Sequence, residues 1–552
     1  MTAVLPEPDG ADISTFRDLL VARESSYGDR VFLRFEDDEF TYSELIELSN
    51  RIANTLLGLG LQPGDRIAVW MRNRPEYIAV FFAAIKTGLV AVTLNPQARA
   101  ADGRYLLQDA SAKALIFGSE MAQAYAAIAP QLSARPHEFM VGSTHEDVQL
   151  RRNHGWRGFD TFYAASAAAP PDPLVVASSP ASIIYTSGTT GMPKGVVLPQ
   201  HAYVNTARWY GQHVVQAHEN DVFFTCLPLH HCNAQVFTLA TALMRGSTVA
   251  MVENFSASHY FDQIRRYDAS IFNFIGMMLV ALHKQPPRPN DLDNPARCGF
   301  GIPVPPDLGG EFERRFGVQL LEGYGATETG CGFVFNTVAE RRLGWAGRVL
   351  PYAQAKVVGA QGEQLPAGTV GQIVMRPERP DVWMLGYHGD PEVTARAWED
   401  GWLRLDDYGV IDQDGWLGFR GRGLDWVRRR GENISAIEIE DACDRHPSVS
   451  KSAVVAVASE MTEEEVKLFV EWRPEVTPDL DDLVAWLSER LAAYKLPVFI
   501  QSVPELPRTA TGKMAKFQLD RTPVGEWTSP TLGRTRDQDE IRRGSRHSEV
   551  GR

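Results

Sequence analysis

Over the first 350 or so residues, short apolar runs alternate with stretches of helical periodicity. Residues 67–70, 90–92, 113–117, 223–225, 248–252, 270–274 and 318–321 are rich in Val, Ile, Phe, Leu and Ala and read as strands, and 76–87 reads as a helix between the first two. Strands alternating with helices predict parallel sheets covered by helices. The apolar stretch 77–94 is broken by Lys86 and Gly88. It reads as a buried helix running into a strand, because a membrane span needs about 20 apolar residues.

From residue 353 to 375 the texture changes. Short strands are separated by Gly359-Ala360-Gln361-Gly362 and Pro366-Ala367-Gly368, which predicts a small antiparallel β unit. Beyond about residue 423 the pattern is compact α+β. Residues 453–458 and 467–472 read as strands, and 480–494 as a helix opened by Asp481-Asp482. Residues 130–173, Ala- and Pro-rich in parts, read as a variable surface region. Residues 522–552, with few large apolar side chains and mixed charge, read as a disordered tail.

The 552 residues are 44% hydrophobic and 22% charged, a soluble globular composition with enough apolar material for several cores. The net charge of −14 argues against nucleic acid or an anionic membrane as a bulk partner. The five cysteines form no C-x-x-C pair and read as reduced thiols, so the expected location is cytoplasmic. Residues 1–12 lack a basic region followed by an apolar run, so no secretory signal is expected.

The sharpest local signal is Tyr185-Thr186-Ser187-Gly188-Thr189-Thr190-Gly191-Met192-Pro193-Lys194-Gly195, which follows the apolar pair Ile183-Ile184. Its glycines permit close backbone approach to a ligand. Its four Ser/Thr hydroxyls, backbone N–H groups and Lys194 suit phosphate oxygens. It is not a Walker A loop, because Pro193 stands where that spacing needs glycine. Further along stand Gly301-Ile302-Pro303 and Tyr324-Gly325-Ala326-Thr327-Glu328. Then follow Gly401-Trp402-Leu403-Arg404-Leu405-Asp406-Asp407 continuing to Gly421-Arg422, Gly431-Glu432-Asn433-Ile434, and Pro507-Arg508-Thr509-Ala510-Thr511-Gly512-Lys513-Met514. The segment Leu227-Pro228-Leu229-His230-His231-Cys232 invites a zinc reading. Adjacent residues of an extended segment point opposite ways, however, and no further ligand cluster is visible in the sequence, so zinc is not expected.

Together these motifs resemble the signatures of the adenylate-forming superfamily, which includes acyl-CoA synthetases, peptide-synthetase adenylation domains and luciferases. The resemblance runs from about residue 15 to 520. It implies an α/β fold: a large N-terminal body of helix-covered parallel sheets plus a small β-barrel subdomain over 1–422, a small mobile α+β domain over 423–521, and the tail 522–552. It implies that Thr186, Ser187, Gly188, Thr189, Thr190, Gly191 and Lys194 hold the ATP phosphates. Gly301, Ile302 and Pro303 would flank the adenine and Tyr324 would pack on it. Thr327 would bond the α-phosphate, Glu328 would bind Mg²⁺, and Asp407, partnered by Arg422, would accept the ribose hydroxyls. Leu405 and Asp406 replace the Thr and Gly usual before that aspartate, and Leu424-Asp425 stands at the expected pivot.

In the family, the lysine matching Lys513 reaches the α-phosphate and the substrate carboxylate during adenylation. The Gly431 region faces the thiol channel in the second step, and a residue aligned with His231 gates the acyl pocket. The resemblance places His231, Asn233, Gln235, Asn273, Gly276, Met277, Gly325 and Cys331 at that pocket, a mixture of polar and apolar groups. The Arg428-Arg429-Arg430 run reads either as a solvated face or as an attraction for CoA phosphates. Residues 230–291, with Gln285-Pro286-Pro287, are similar to the carnitine/crotonobetaine-CoA ligase branch. The expected activity is ATP-dependent ligation of a small-to-medium, polar carboxylic acid to coenzyme A. The alternatives are loading of a carrier protein in trans and activation of nitrite for transfer to an amine.

Overall fold

Helix Pro75–Thr87 buries every residue except Glu76. A helix apolar on all sides needs covering on all sides, and this one shares a single apolar cluster with both large sheets of the body. Pro75 starts it without wasting an N–H donor, and Gly88, at φ 70°, ends it in the left-handed conformation that glycine adopts without strain. The structure, a computed structural model, describes residues 5–10, 12–186, 193–359, 362–422, 426–429, 432–459, 464–507, 514, 516 and 519–529. Of Pro306, Asp307, Asp406, Gly421, Arg422, Trp426, Asn433 and Ile437 it describes the backbone alone.

The first sheet runs in the order Gln319–Leu321, Cys298–Ile302, Ile271–Ile275, Val222–Thr225, Thr248–Met251, Val31–Phe35, Asp38–Thr41, and is parallel apart from its terminal hairpin. The second runs Gly386–Tyr387, Lys194–Pro199, Pro180–Thr186, Val90–Thr93, Arg66–Trp70, Ala114–Gly118, His137–Val141, Arg157–Gly158. It is parallel from Pro180–Thr186 onward. These are the near-continuous apolar strands that burial on both faces demands.

A five-stranded antiparallel unit follows. Strands Ala353–Val358, Gly371–Pro377 and Trp402–Ile411 lie side by side, and Trp398–Glu399 and Leu417–Arg422 both pair with the third. The C-terminal domain has its own core. Val427, Ile434, Ile439, Val454, Leu468, Leu483 and Leu487 pack between helices Ala436–Asp444 and Leu480–Arg490 and the sheet Val449–Ala458, Glu464–Trp472, Phe499–Val503, Trp527–Thr528. No described helix is long and apolar enough to cross a membrane.

Three expectations change. The helix expected over 480–494 ends at Arg490, because buried Leu491 leaves it in an extended conformation (φ −114°, ψ 147°) to reach the domain core. The region 130–173 is not all surface. Strand His137–Val141 is paired on both sides, and Phe139, Phe159 and Phe162 are buried. The tail expected to be disordered from 522 instead adds strand Trp527–Thr528 to the C-terminal sheet, with Trp527 packed on that core. Residues 530–552 lie outside the described residues.

Candidate active site

The phosphate motif lies on an antiparallel hairpin. Strands Pro180–Thr186 and Lys194–Pro199 pair so that Thr186 faces Lys194, which sets both at the mouth of the connecting loop. Ser187, Gly188, Thr189, Thr190 and Gly191 lie outside the described residues. The Lys194 ammonium sits 5.4 Å from the centre of the Tyr387 ring, a cation–π contact. The Tyr387 hydroxyl donates to Glu328 Oε1 at 3.0 Å. Strand Gly386–Tyr387 adds to the edge of Lys194–Pro199, and the N–H of Met384 donates to the Glu328 carbonyl at 2.9 Å. One aromatic ring therefore brings together the cation expected for phosphate and the carboxylate expected for metal. Tyr387 carried no signal in the sequence, because its role depends on a pairing between segments far apart in the chain.

Gly301 and Ile302 end strand Cys298–Ile302, where Gly301 lies opposite Phe274 and Ile302 opposite Ile275. A Cβ at Gly301 would strike the Phe274 carbonyl, so this approach of two strands needs glycine. Pro303 follows directly. Tyr324, 5% exposed, donates its hydroxyl to Asp407 Oδ2 at 2.8 Å, and its ring stacks on Phe419 with centroids 5.8 Å apart. Asp407 is 1% exposed and lies across from Arg422 in the hairpin of Trp402–Ile411 and Leu417–Arg422. Arg422 is thus opposite Asp407 in register, and its side chain lies outside the described residues. Tyr324 and Asp407, singled out separately in the sequence, form one buried pair.

Thr327 and Glu328 occupy a single turn of 3₁₀ helix, Thr327–Thr329, and Glu328 is buried. Cys232 Sγ stands 3.8 Å from the Thr327 hydroxyl. At Gly325 a Cβ would collide with the backbone of Cys331 and Gly332, which draws these two segments together. Cys331 is buried, and burial pushes its thiol well up. The neighbouring Cys232 thiol is lowered, chiefly by its hydrogen bond with Cys331.

On the facing side, Asn273 is fully buried. It accepts from Thr238 Oγ1 at 3.2 Å and donates through Nδ2 to Asn233 Oδ1 at 3.3 Å. Gly276 and Met277 start helix Gly276–His283 just beyond, Gly276 buried and Met277 half-buried. Gln235 is committed internally. It accepts from the Tyr203 hydroxyl at 2.6 Å and donates to the Leu229 carbonyl at 2.7 Å. Its amide therefore shapes the wall, whereas Asn233 keeps a half-exposed amide.

His230 and His231 do not diverge. The chain turns at Leu229-His230, with the His231 N–H donating to the Pro228 carbonyl at 3.1 Å, and the two rings lie 4.2 Å apart. The extended segment assumed from the sequence is replaced by a turn, which places adjacent side chains together. His231 Nε2 meets Glu432 Oε1 at 3.1 Å, and Asn95 Nδ2 donates to the same oxygen at 3.3 Å. Burial disfavours the His231 cation, but the charge and hydrogen bond of Glu432 outweigh it and raise its pKa. Burial would raise Glu432, but His231, His230 and Lys495 hold it down at about 2. His230 is pushed well below its usual value by burial and by His231.

Glu432 belongs to hairpin strand Glu432–Ser435 of the C-terminal domain, so this contact joins the two domains. Its neighbour Gly431 and the expected catalytic Lys513 lie outside the described residues. Arg429 does not lie on a solvated face. It is buried, stands 2.5 Å from Glu465 and donates to the Tyr494 and Leu496 carbonyls. The sequence could not show that ion pair, because Glu465 comes from another strand.

Comparisons with known proteins place the chain in a family. The AMP-binding enzyme family matches residues 21–388, and the AMP-binding enzyme C-terminal domain matches 438–513. A crotonobetaine/carnitine–CoA ligase of Salmonella heidelberg is 32% identical over 505 residues, spanning 89% of this chain and 96% of that protein. Among solved structures, an amide bond synthetase from Marinactinospora thermotolerans superposes with a TM-score of 0.79 at 25% identity, covering 91% of this chain and 98% of that one. A fatty acyl CoA synthetase of Mycobacterium tuberculosis does so with 0.66 at 27%, covering 91% and 97%. The chain belongs to the AMP-binding enzyme family and, within it, to the adenylate-forming acyl-CoA ligases.

Proposed function

We propose that this ligase activates a small-to-medium, polar carboxylic acid as its acyl-adenylate and passes the acyl group to the thiol of coenzyme A in the cytoplasm. The substrate carboxylate attacks the α-phosphorus of ATP and pyrophosphate leaves. The thiol sulfur then attacks the acyl carbon, AMP leaves with the bonding electron pair, and the thiol proton passes to solvent. The observation that carries this reading is the gathering of Lys194, Tyr387 and Glu328. An ammonium and a hard carboxylate donor held together suit a triphosphate and Mg²⁺, which takes few carboxylates plus phosphate oxygens. Glu328 would hold that ion, which neutralises the pyrophosphate as it leaves.

The polar substrate is supported by Asn233. Its oxygen is engaged by Asn273, which leaves its amide hydrogens to donate, beside His231 rather than within a long apolar tunnel. The assigned residues divide the work: Asp407 and Tyr324 hold the ribose and adenine, Thr327 the α-phosphate, and Lys513 stabilises charge in adenylation. The contact of Glu432 with His231 supports a docked arrangement that brings the 431 region to the pocket for thioester formation. We assign the body to residues 1–422 and the moving domain to 423–521.

The test is pyrophosphate release across a panel of carboxylic acids, with nitrite included, with CoA, a carrier protein or an amine as acceptor. Acid-dependent release completed to a thioester only with CoA is expected. Absence of release with every acid of the panel would overturn the reading, and completion only with a carrier protein or an amine would reassign the acceptor.

A further inference from the structure

We infer that His230, His231 and Glu432 form a transition-metal site shared by the two domains, with the donor chemistry that takes Zn²⁺. One donor atom from each of the three lies within 4.8 Å of the others. Zinc bonds of about 2.0–2.2 Å to nitrogen and oxygen place neighbouring ligand atoms of a tetrahedron roughly 3.3 Å apart. His231 Nε2 and Glu432 Oε1, at 3.1 Å, already stand close to that spacing. His230, whose donor atom lies within 4.8 Å of both, is the third donor.

A second observation points to a ligand. His230 Nε2 is buried with no hydrogen-bond partner among the described residues. A buried ring nitrogen with nothing to bond is the exception in folded proteins, and a metal would satisfy it. Two further contacts hold the His230 backbone and the Glu432 carboxylate in place, the second of them the kind that steadies a metal-ligating carboxylate. Thr93 Oγ1 donates to the His230 carbonyl at 2.9 Å, and Asn95 Nδ2 donates to Glu432 Oε1 at 3.3 Å.

Two imidazoles and one carboxylate leave a fourth position open for water or a ligand. They select zinc-like ions over magnesium, which prefers oxygen donors alone. The site is therefore chemically distinct from the Mg²⁺ role given to Glu328. Because Glu432 comes from the C-terminal domain and the histidines from the body, metal binds only when the domains are docked. By linkage, it stabilises that arrangement.

The experiment uses the full chain, stripped with chelator and titrated with Zn²⁺ by calorimetry in excess Mg²⁺. Co²⁺ serves as the absorbing substitute, and a fluorophore pair reports the distance between body and C-terminal domain. One equivalent of Zn²⁺ should bind despite the Mg²⁺, Co²⁺ should show the strong visible bands of a four-coordinate site, and Zn²⁺ should shift the domain distribution toward the docked form. Glu432→Gln and His230→Gln should each weaken binding at least tenfold and remove the domain shift. Because His230 is buried, its variant is first checked for an unchanged melting profile. Glu432→Gln, at a half-buried position, keeps the test decisive if the His230 variant does not fold. No binding by the wild type, or equal binding by the Glu432 variant, overturns the proposal. None of these readouts requires acid turnover, so failure here leaves the ligase reading untouched.

Discussion

Tyr324 donates its phenolic hydrogen to Asp407 at 2.8 Å across 83 residues of chain, inside the protein. The bond ties the ring we assign to adenine to the carboxylate we assign to the ribose. Hydrogen bonds to charged groups contribute about 1.5–3 kcal/mol, and their loss leaves a buried acceptor less satisfied. Tyr324→Phe should therefore lower unfolding stability by about 2 kcal/mol in a urea titration and raise the KM for ATP. Unchanged ATP dependence would show that the pair serves only packing.

Tyr387 ties Lys194 to Glu328. Tyr387→Phe keeps the ring under the ammonium and removes only the bond to the carboxylate. A single such bond contributes about 1 kcal/mol, roughly fivefold in an equilibrium. The Mg²⁺ concentration for half-maximal pyrophosphate release should rise by about that factor, with little change in melting temperature. A variant with wild-type Mg²⁺ dependence would separate Glu328 from metal binding.

The contact between domains depends on pH in a direction fixed by His231 and Glu432. In the contact with Glu432, His231 is raised above its usual 6.5, so its contribution is complete below 6.5 and is lost as pH rises through the raised value. Despite its burial, Glu432 is lowered from 4.5 to about 2 by His231, His230 and Lys495, so its contribution is complete above 4.5 and is lost as pH falls through about 2. The contact is strongest between 4.5 and 6.5. Hydrogen exchange in strand Glu432–Ser435 should be slower, after correction for intrinsic rates, at about pH 6 than at about pH 9. Glu432→Gln should flatten that difference.

Lys513→Ala should abolish acid-dependent pyrophosphate release while leaving thioester formation from supplied acyl-AMP largely intact. A mobile ammonium matters only while charge builds at the α-phosphate. Equal loss of both half-reactions would contradict the role assigned to Lys513.

Seven strands of the two large sheets, among them Arg66–Trp70 and Ile271–Ile275, were legible because burial on both faces leaves a continuous apolar run, a local property of the sequence; His137–Val141 and Cys298–Ile302 were not. The helix after Pro75 was legible for the same reason. Arg429 was not, because a buried ion pair and a solvated face use the same residue type. The end of helix Leu480–Arg490 was not, because Leu491 is drawn out of it by a core assembled from other segments.

By itself the sequence determined the α/β class and the family motifs, and with them the kinds of groups available: the loop we assign to phosphate, the carboxylates we assign to ribose and metal, and a late lysine. These depend on residue type and spacing along one strand or turn. Only the tertiary structure decided which groups meet: Tyr324 with Asp407, Lys194 and Glu328 around Tyr387, and His231 with Glu432 across the domain contact. Such pairs join segments that sheet order and domain docking bring together, and no periodicity along the chain encodes a distance between them.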